Sequence, residues 1–268
     1  MTGSEQFFRI PGPIFAEGRR STNSGRHYKL HMHRTFSIGA VDCGEVMYQV
    51  AGQEARLGPG TLALINPDTL HSCNPVDRKK RNYYILYLDV TWCLQVQKSI
   101  WQNTNFVRVK EIALENELIF RQYIEIMELF AKNNGLTDKE ARLTELVRTI
   151  FLRTCKPNIS FSDPPLQIAR LKQELGSDLS HPLPLEQLAA THRINPYTLL
   201  RQFKAGTGIT PHAFRLNCRI DLAKTLLRAG HEPSVVALEC GFFDQSHFHR
   251  HFKAMTTVTP KEYQENFT

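Results

Sequence analysis

Gln245, Ser246, His249 and Arg250 fall where one face of a helix would present them together, and Tyr197, Thr198, Leu200 and Arg201 do the same earlier in the chain. Amides, hydroxyls and guanidinium groups hydrogen-bond to base edges, and lysines placed like Lys204 and Lys253 neutralise phosphates. Nucleic-acid recognition is the chemistry that this set could do. A second set is imidazole: His31-x-His33, followed by His71. If His31 and His33 share a strand, their rings point the same way, and His71 would complete a three-nitrogen metal site; hydrogen bonding or effector contact, with Tyr48 beside them, is the expected role instead. His247, His249 and His251 also cluster, but groove or phosphate contact or plain exposure is expected there rather than metal. Neither Ser246 nor Ser234 has triad partners around it. No catalytic residue, resident metal or cofactor is therefore expected.

The elements that must position the first set occur twice. Arg201 to Phe214 aligns without a gap on Arg250 to Tyr263, sharing Arg, Phe, Lys, Ala, two Thr and Pro. Each copy opens with a helix-capping residue, Asn195 before Pro196 and Asp244, and continues with an apolar pair one turn apart, Leu199/Phe203 and Phe248/Phe252. A short apolar helix precedes each cap, at 185–192 and 233–240, after a turn of only a few residues. Helix, tight turn, helix is a helix-turn-helix pattern. Between the copies, residues 212–229 form one long helix closed by Gly230, with Phe214, Cys218, Leu222 and Leu226 as its stripe and Ile220, Ala223 and Leu227 alongside. Its length of about 27 Å is close to the roughly 34 Å between successive major grooves on one face of DNA. The basic cluster Arg201, Lys204, Arg215, Arg219, Lys224 and Arg228 belongs to the same region.

Upstream, residues 27–89 alternate like short strands: 36–41, 45–50, 61–65 and 83–88, punctuated by Gly44, Gly52, Gly58-Pro-Gly60 and Asn66-Pro-Asp68. A small sandwich or barrel is expected. From Thr91 the period becomes helical. Leu118, Ile119, Tyr123, Ile126 and Phe130 mark one helix, ending at 133–135; Thr137, with Glu140 in capping-box spacing, opens a second that carries Leu143, Leu146, Val147, Ile150 and Phe151. Residues 156–165 hold three prolines and read as a stiff connector. The expected fold class is α+β: a β-barrel with a helical hairpin at 1–160, then an all-α domain at 161–268 with two helix-turn-helix units joined by a long helix.

The totals agree with a soluble globular protein of two domains. The 268 residues hold 33 Lys and Arg against 26 Asp and Glu, for a formal charge of +7, which favours an anionic partner. Six cysteines without a Cys-x-x-Cys pair argue against a zinc ribbon or disulfide framework. No apolar run is long enough to cross a bilayer, and the first residues lack the features of a secretory signal, so the cytoplasm is expected.

The run Gly-Phe-x-Asp-Gln-Ser-His-Phe-x-Arg-x-Phe-Lys from Gly241, ending in Val258-Thr-Pro260, resembles the signature of AraC/XylS-family transcription regulators across roughly 166–267. The chain departs from that pattern at Arg193 and Thr257, where the family usually has glycine. His31-x-His33, the segment 57–67 and His71 are similar to the cupin-like ligand-binding domain found on many of its members. Cupin enzymes also carry a glutamate shortly after the second histidine, and Arg34 to Gly39 supply none; that weakens the alternative of a metal-dependent cupin-type enzyme. The resemblance implies a sequence-specific regulator that contacts two successive major grooves of double-stranded DNA. The implied contacts are Tyr197, Thr198, Leu200, Arg201, Lys204, Gln245, Ser246, His249, Arg250 and Lys253. It further implies a small-molecule effector near His31, His33, Tyr48 and His71, a homodimer formed through the helix at 118–130, and RNA polymerase as a partner, with no membrane.

Overall fold

The computed structural model describes residues 3–10, 16–132, 138–156 and 166–267. Two compact units emerge: Met1–His27 with Arg34–Phe161, and Tyr28–His33 with Ser162–Asn266, the last two residues aside. The connector expected at 156–165, beyond Lys156, and the helix end expected at 133–135 lie outside the described residues.

The first unit is built on two antiparallel sheets. Strands β1 (Ser4–Ile10), β2 (Ala16–Ser24), β3 (Phe36–Cys43), β6 (Thr61–Ile65), β8 (Arg81–Leu88) and β9 (Ala113–Glu115) form the larger, in the order β1-β2-β8-β3-β6-β9. Strands β4 (Val46–Val50), β5 (Gln53–Leu57) and β7 (His71–Pro75) form the smaller, in the order β5-β4-β7. The register places Gly18, Leu86, Ile38 and Leu64 side by side on one face of the larger sheet. That face is the apolar one. It packs against α1 (Val90–Lys98), α2 (Glu117–Ala131) and α3 (Lys139–Thr154), whose Trp92, Phe120, Met127, Val147 and Phe151 share its core. Phe36 meets Phe151 with ring centroids 5.3 Å apart, and the buried Tyr123 hydroxyl donates to the Ile38 carbonyl at 2.6 Å, pinning α2 to the middle of the sheet.

The helical hairpin differs from expectation in detail. Leu118 is not part of the buried stripe of α2: it is 66% exposed, while Phe120 and Met127 are buried. Thr137 lies outside the described residues; Asp138 precedes α3 and makes no side-chain cap.

The second unit is all helix: α4 (Leu166–Ser177), α5 (Leu185–Thr191), α6 (Pro196–Thr207), α7 (Pro211–Arg228), α8 (Pro233–Glu239), α9 (Gln245–Thr256) and α10 (Pro260–Gln264). The sequence repeat reappears as repeated hydrogen bonding. Asn195 and Asp244 cap α6 and α9; the Thr207 and Thr256 hydroxyls donate to the Phe203 and Phe252 carbonyls, each at 2.7 Å; Thr210 and Thr259 cap α7 and α10. α6 and α9 both end on a left-handed residue, Gly208 at φ 82° and Thr257 at φ 67°. α7 is buried more broadly than a single stripe, because α4 and α6 pack on it from one copy and α8, α9 and α10 from the other. Leu222 and Leu226 are only half-buried, whereas Arg215 and Asn217 are buried.

The tight turns of the two copies test the same backbone position. Arg193 and Gly241 both adopt left-handed conformations, at φ 54° and φ 73°. A side chain there costs about 1 kcal/mol. Arg193→Gly is expected to raise unfolding stability by about 1 kcal/mol, since the Arg193 side chain is exposed. Gly241→Ala is expected to lower it by more, because a Cβ would lie 2.2 Å from the Leu179 carbonyl oxygen. Urea unfolding of the two variants checks both signs.

Candidate nucleic-acid interface

The apolar side of each recognition helix is consumed by the core. Leu199 and Phe203 of α6 and Phe248 and Phe252 of α9 are fully buried, with Phe203 edge-on to Phe214 and Phe252 edge-on to Tyr263. The opposite side is left to solvent. Tyr197 (81% exposed), Arg201 and Lys204 stand out from α6, with Thr198 and Leu200 half-buried beside them. Gln245, Ser246, His249, Arg250 and Lys253 all stand out from α9. Arg201, Lys204, Arg250 and Lys253 form no ion pair with a described residue. Their charge is uncompensated on the exposed face. Each copy thus presents the donors and cations that meet phosphates and base edges.

Three members of the basic cluster are held against neighbouring elements of the helical unit. Arg215 is 7% exposed, and its guanidinium donates to the carbonyls of Leu175, at 3.1 Å, Asp178 and His181. Arg219 donates to Leu179 at 3.1 Å and lies 5.9 Å over the Phe242 ring. Burial pulls both guanidinium pKa values down. Arg228 donates to the Tyr263 hydroxyl at 2.7 Å. These three residues hold α7 to the loop at 178–181 and to α10 rather than forming a single basic surface with Arg201 and Lys204. Gly241 closes the same junction, since only a residue without Cβ fits against Leu179 and Ser180.

The four expected effector residues are divided between the two units. His31 and His33 lie on no strand; they sit in the irregular segment before β3, and Tyr28–His33 belongs to the helical unit. Met32 between them is buried in the core of Leu171, Leu199 and Phe214, with its N–H donated to Asn217 Oδ1 at 3.1 Å; His31 stacks on Tyr28 and meets the ring of His33, which is itself buried. Tyr48 and His71 belong to the smaller sheet of the first unit. Tyr48 is fully buried and donates to the Leu64 carbonyl at 2.8 Å; His71 is 4% exposed, with Nδ1 2.8 Å from the Thr69 carbonyl. Among the described residues, no group of three or more His, Cys, Asp or Glu side chains is placed to hold a metal ion.

The inward face of the larger sheet shows residues that alternation had hidden. Glu5, Arg19, Ser21, Tyr83 and Tyr87 share it, together with buried Glu17 and Arg81. Arg19 pairs with Glu5 at 2.8 Å, Ser21 donates to the same carboxylate at 2.8 Å, and the Arg19 guanidinium lies 4.9 Å over the Phe7 ring. Arg81 spans to the smaller sheet by donating to the Cys73 carbonyl at 3.0 Å. Burial pushes the Tyr87 phenol and the Cys73 thiol up, the thiol to about 11.

A helical unit with two outward recognition faces on one shared helix, preceded by a β-barrel domain with a polar interior, defines a DNA-binding regulator with a separate ligand-binding domain. The comparisons agree. Residues 16–147 match the model of an AraC-like ligand binding domain, and residues 188–266 that of a helix-turn-helix domain. The chain is 27% identical over 261 residues to the HTH-type transcriptional regulator YbfI of Bacillus subtilis, covering 92% of this chain and 90% of that one. It is 25% identical over 150 residues to the transcriptional activator RhaS of Salmonella arizonae, covering 56% of this chain and 45% of that protein. Its fold matches ToxT of Vibrio cholerae in an unsaturated fatty acid-bound structure, with a TM-score of 0.64 over 99% of this chain and 96% of the other at 14% identity. The chain belongs to the AraC family of transcription regulators, with an N-terminal ligand-binding domain and a C-terminal helix-turn-helix DNA-binding domain.

On α9, His247 and His251 stand edge to face at 4.6 Å. The His251 pKa is lowered from 6.5 by burial, then by His247, Arg250, His212 and Lys29. The unfolded chain therefore takes up this proton first as the pH falls. Stability is expected to drop from pH 6.5 downward until the folded imidazole also titrates. Urea midpoints measured against pH should fall less steeply in this window for His251→Gln than for the unaltered protein.

Proposed function

We propose that this regulator reads its operator with α6 and α9 in two successive major grooves of double-stranded DNA, and that a small polar molecule held by residues 1–160 alters that binding. Residues 161–268 are the DNA-binding domain in this reading. The observation that carries it is the equivalence of Arg201 and Arg250: each is exposed, without an ion pair, and one turn into the recognition helix of its copy. The ten residues Tyr197, Thr198, Leu200, Arg201, Lys204, Gln245, Ser246, His249, Arg250 and Lys253 form the contact surface. The charged barrel interior around Arg19 and Glu5 favours a polar effector over a fatty acid such as the one bound by ToxT. Tyr48 on β4 and His71 on β7 are the members of the expected effector set that belong to the barrel; His31 and His33 are grouped with the helical unit, where they flank Met32. The protein acts as a non-enzymatic regulator in the cytoplasm, with RNA polymerase as its further partner.

Dimerisation is assigned to α2. Leu118 and Leu152 are 66% and 47% exposed, and Leu118, Ile119, Ile126 and Leu146 line a groove of about 420 Å³ between α2 and α3. Apolar surface of this kind gains by being covered. Leu118→Glu is expected to convert a dimer into a monomer at micromolar concentration, as sedimentation velocity would report.

Arg250 is assigned to a base together with Gln245. A guanidinium donating to guanine O6 and N7 discriminates by about 1–3 kcal/mol, whereas a phosphate contact gives affinity without discrimination. Arg250→Ala is expected to relax preference at one or two adjacent operator positions, measured by binding to operator variants at several salt concentrations. Uniform weakening with a shallower salt slope would move Arg250 to the backbone.

A further inference from the structure

The two helix-turn-helix copies differ by one residue. Backbone hydrogen bonds of the first helix and turn recur at a separation of 48: Leu188 to Pro184 matches Val236 to Glu232, and Ile194 to Ala189 matches Phe242 to Ala237. From the cap onward the separation is 49, as Leu199 to Asn195 matches Phe248 to Asp244. Ile194 runs directly into its cap, whereas Phe243 stands between Phe242 and the cap Asp244. Phe243 is the additional residue.

The consecutive phenylalanines part company. Phe242 is 3% exposed, packed on Phe248 at 5.0 Å and beneath Arg219, and anchors the turn in the core. Phe243 is 89% exposed, more than any other large apolar side chain among the described residues. Its backbone N–H donates to His247 Nδ1 at 3.4 Å, which ties the protruding residue to the first turn of α9. Recognition helices meet base edges with their N-terminal residues, and Phe243 immediately precedes that end, next to exposed Gln245 and Ser246. A phenyl ring offers nothing to a phosphate. The apolar feature in the major groove is the 5-methyl group of thymine.

We propose that Phe243 is a specificity-determining residue that contacts a thymine methyl group at the edge of the groove segment read by α9. The inference rests on the reading of α9 as a recognition helix.

The test uses the full chain and DNA that it selects from a random-sequence pool, with each thymine replaced in turn by deoxyuridine, which removes only the methyl group. At one position the unaltered protein should lose about fourfold in affinity, the worth of one buried methyl group. Phe243→Ala should lose the same factor on the thymine DNA and be indifferent to the methyl group; Phe243→Leu should retain most of the sensitivity. Equal methyl sensitivity of Phe243→Ala and the unaltered protein at every position would overturn the proposal. So would unchanged DNA affinity of Phe243→Ala combined with lost transcription by RNA polymerase in vitro, which would place Phe243 with exposed Val235 and Leu238 in a protein-docking surface. Gln245→Ala on the same DNA separates the two levels. If it weakens binding while Phe243→Ala does not, only this inference fails; if neither does, the recognition-helix reading fails with it.

Discussion

The helical unit depends on how α7 is gripped. A helix of 18 residues that serves two cores cannot show water a continuous polar face, and two of its cations, Arg215 and Arg219, are turned inward onto the carbonyls of the loop at 178–181. Charge-assisted bonds to carbonyls are strong where solvent is excluded. The same loop meets Gly241 at a distance that only glycine tolerates. The second helix-turn-helix is therefore fixed to the loop that leads into the first, and the separation of α6 and α9 becomes a property of the fold. Two weak reading heads on a rigid spacer bind as one when the spacing fits the groove period.

The first unit solves a different problem with its larger sheet. One face is apolar and covered by α1, α2 and α3; the other carries Glu5, Glu17, Arg19, Ser21 and Arg81 out of water. Burying such groups is unfavourable unless they are hydrogen-bonded, and the pairing of Arg19 with Glu5, with Ser21 on the same carboxylate, meets that condition. A barrel whose inner wall is built this way holds polar groups in fixed directions, which is what selective capture of a polar molecule needs.

Sequence by itself determined the C-terminal half. The repeat fixed two caps, two apolar pairs and a connecting helix, and because helix periodicity and capping are local, the outward residues Arg201, Gln245 and Arg250 followed from spacing alone. It also located the strain: Arg193 and Thr257, standing where glycine is usual, are left-handed in the structure. Four strands, β3, β4, β6 and β8, were legible because their core-facing residues are apolar. β1 and β2 were not, since the buried positions Glu17, Arg19 and Ser21 are polar and blur the alternation that marks a half-buried strand.

Tertiary structure decided the rest. Nothing local distinguishes Arg215 and Arg219 from Arg201, because an arginine on a helix reads as solvated until a distant segment offers it carbonyls. Nor does the pattern His31-x-His33 reveal that its middle residue, Met32, is buried among Leu171, Leu199 and Phe214, residues more than a hundred positions away. The single residue by which the second turn exceeds the first was present in the sequence. Only the structure separated Phe242, which the core holds, from Phe243, which it releases to the surface, because burial depends on what the fold packs against each ring.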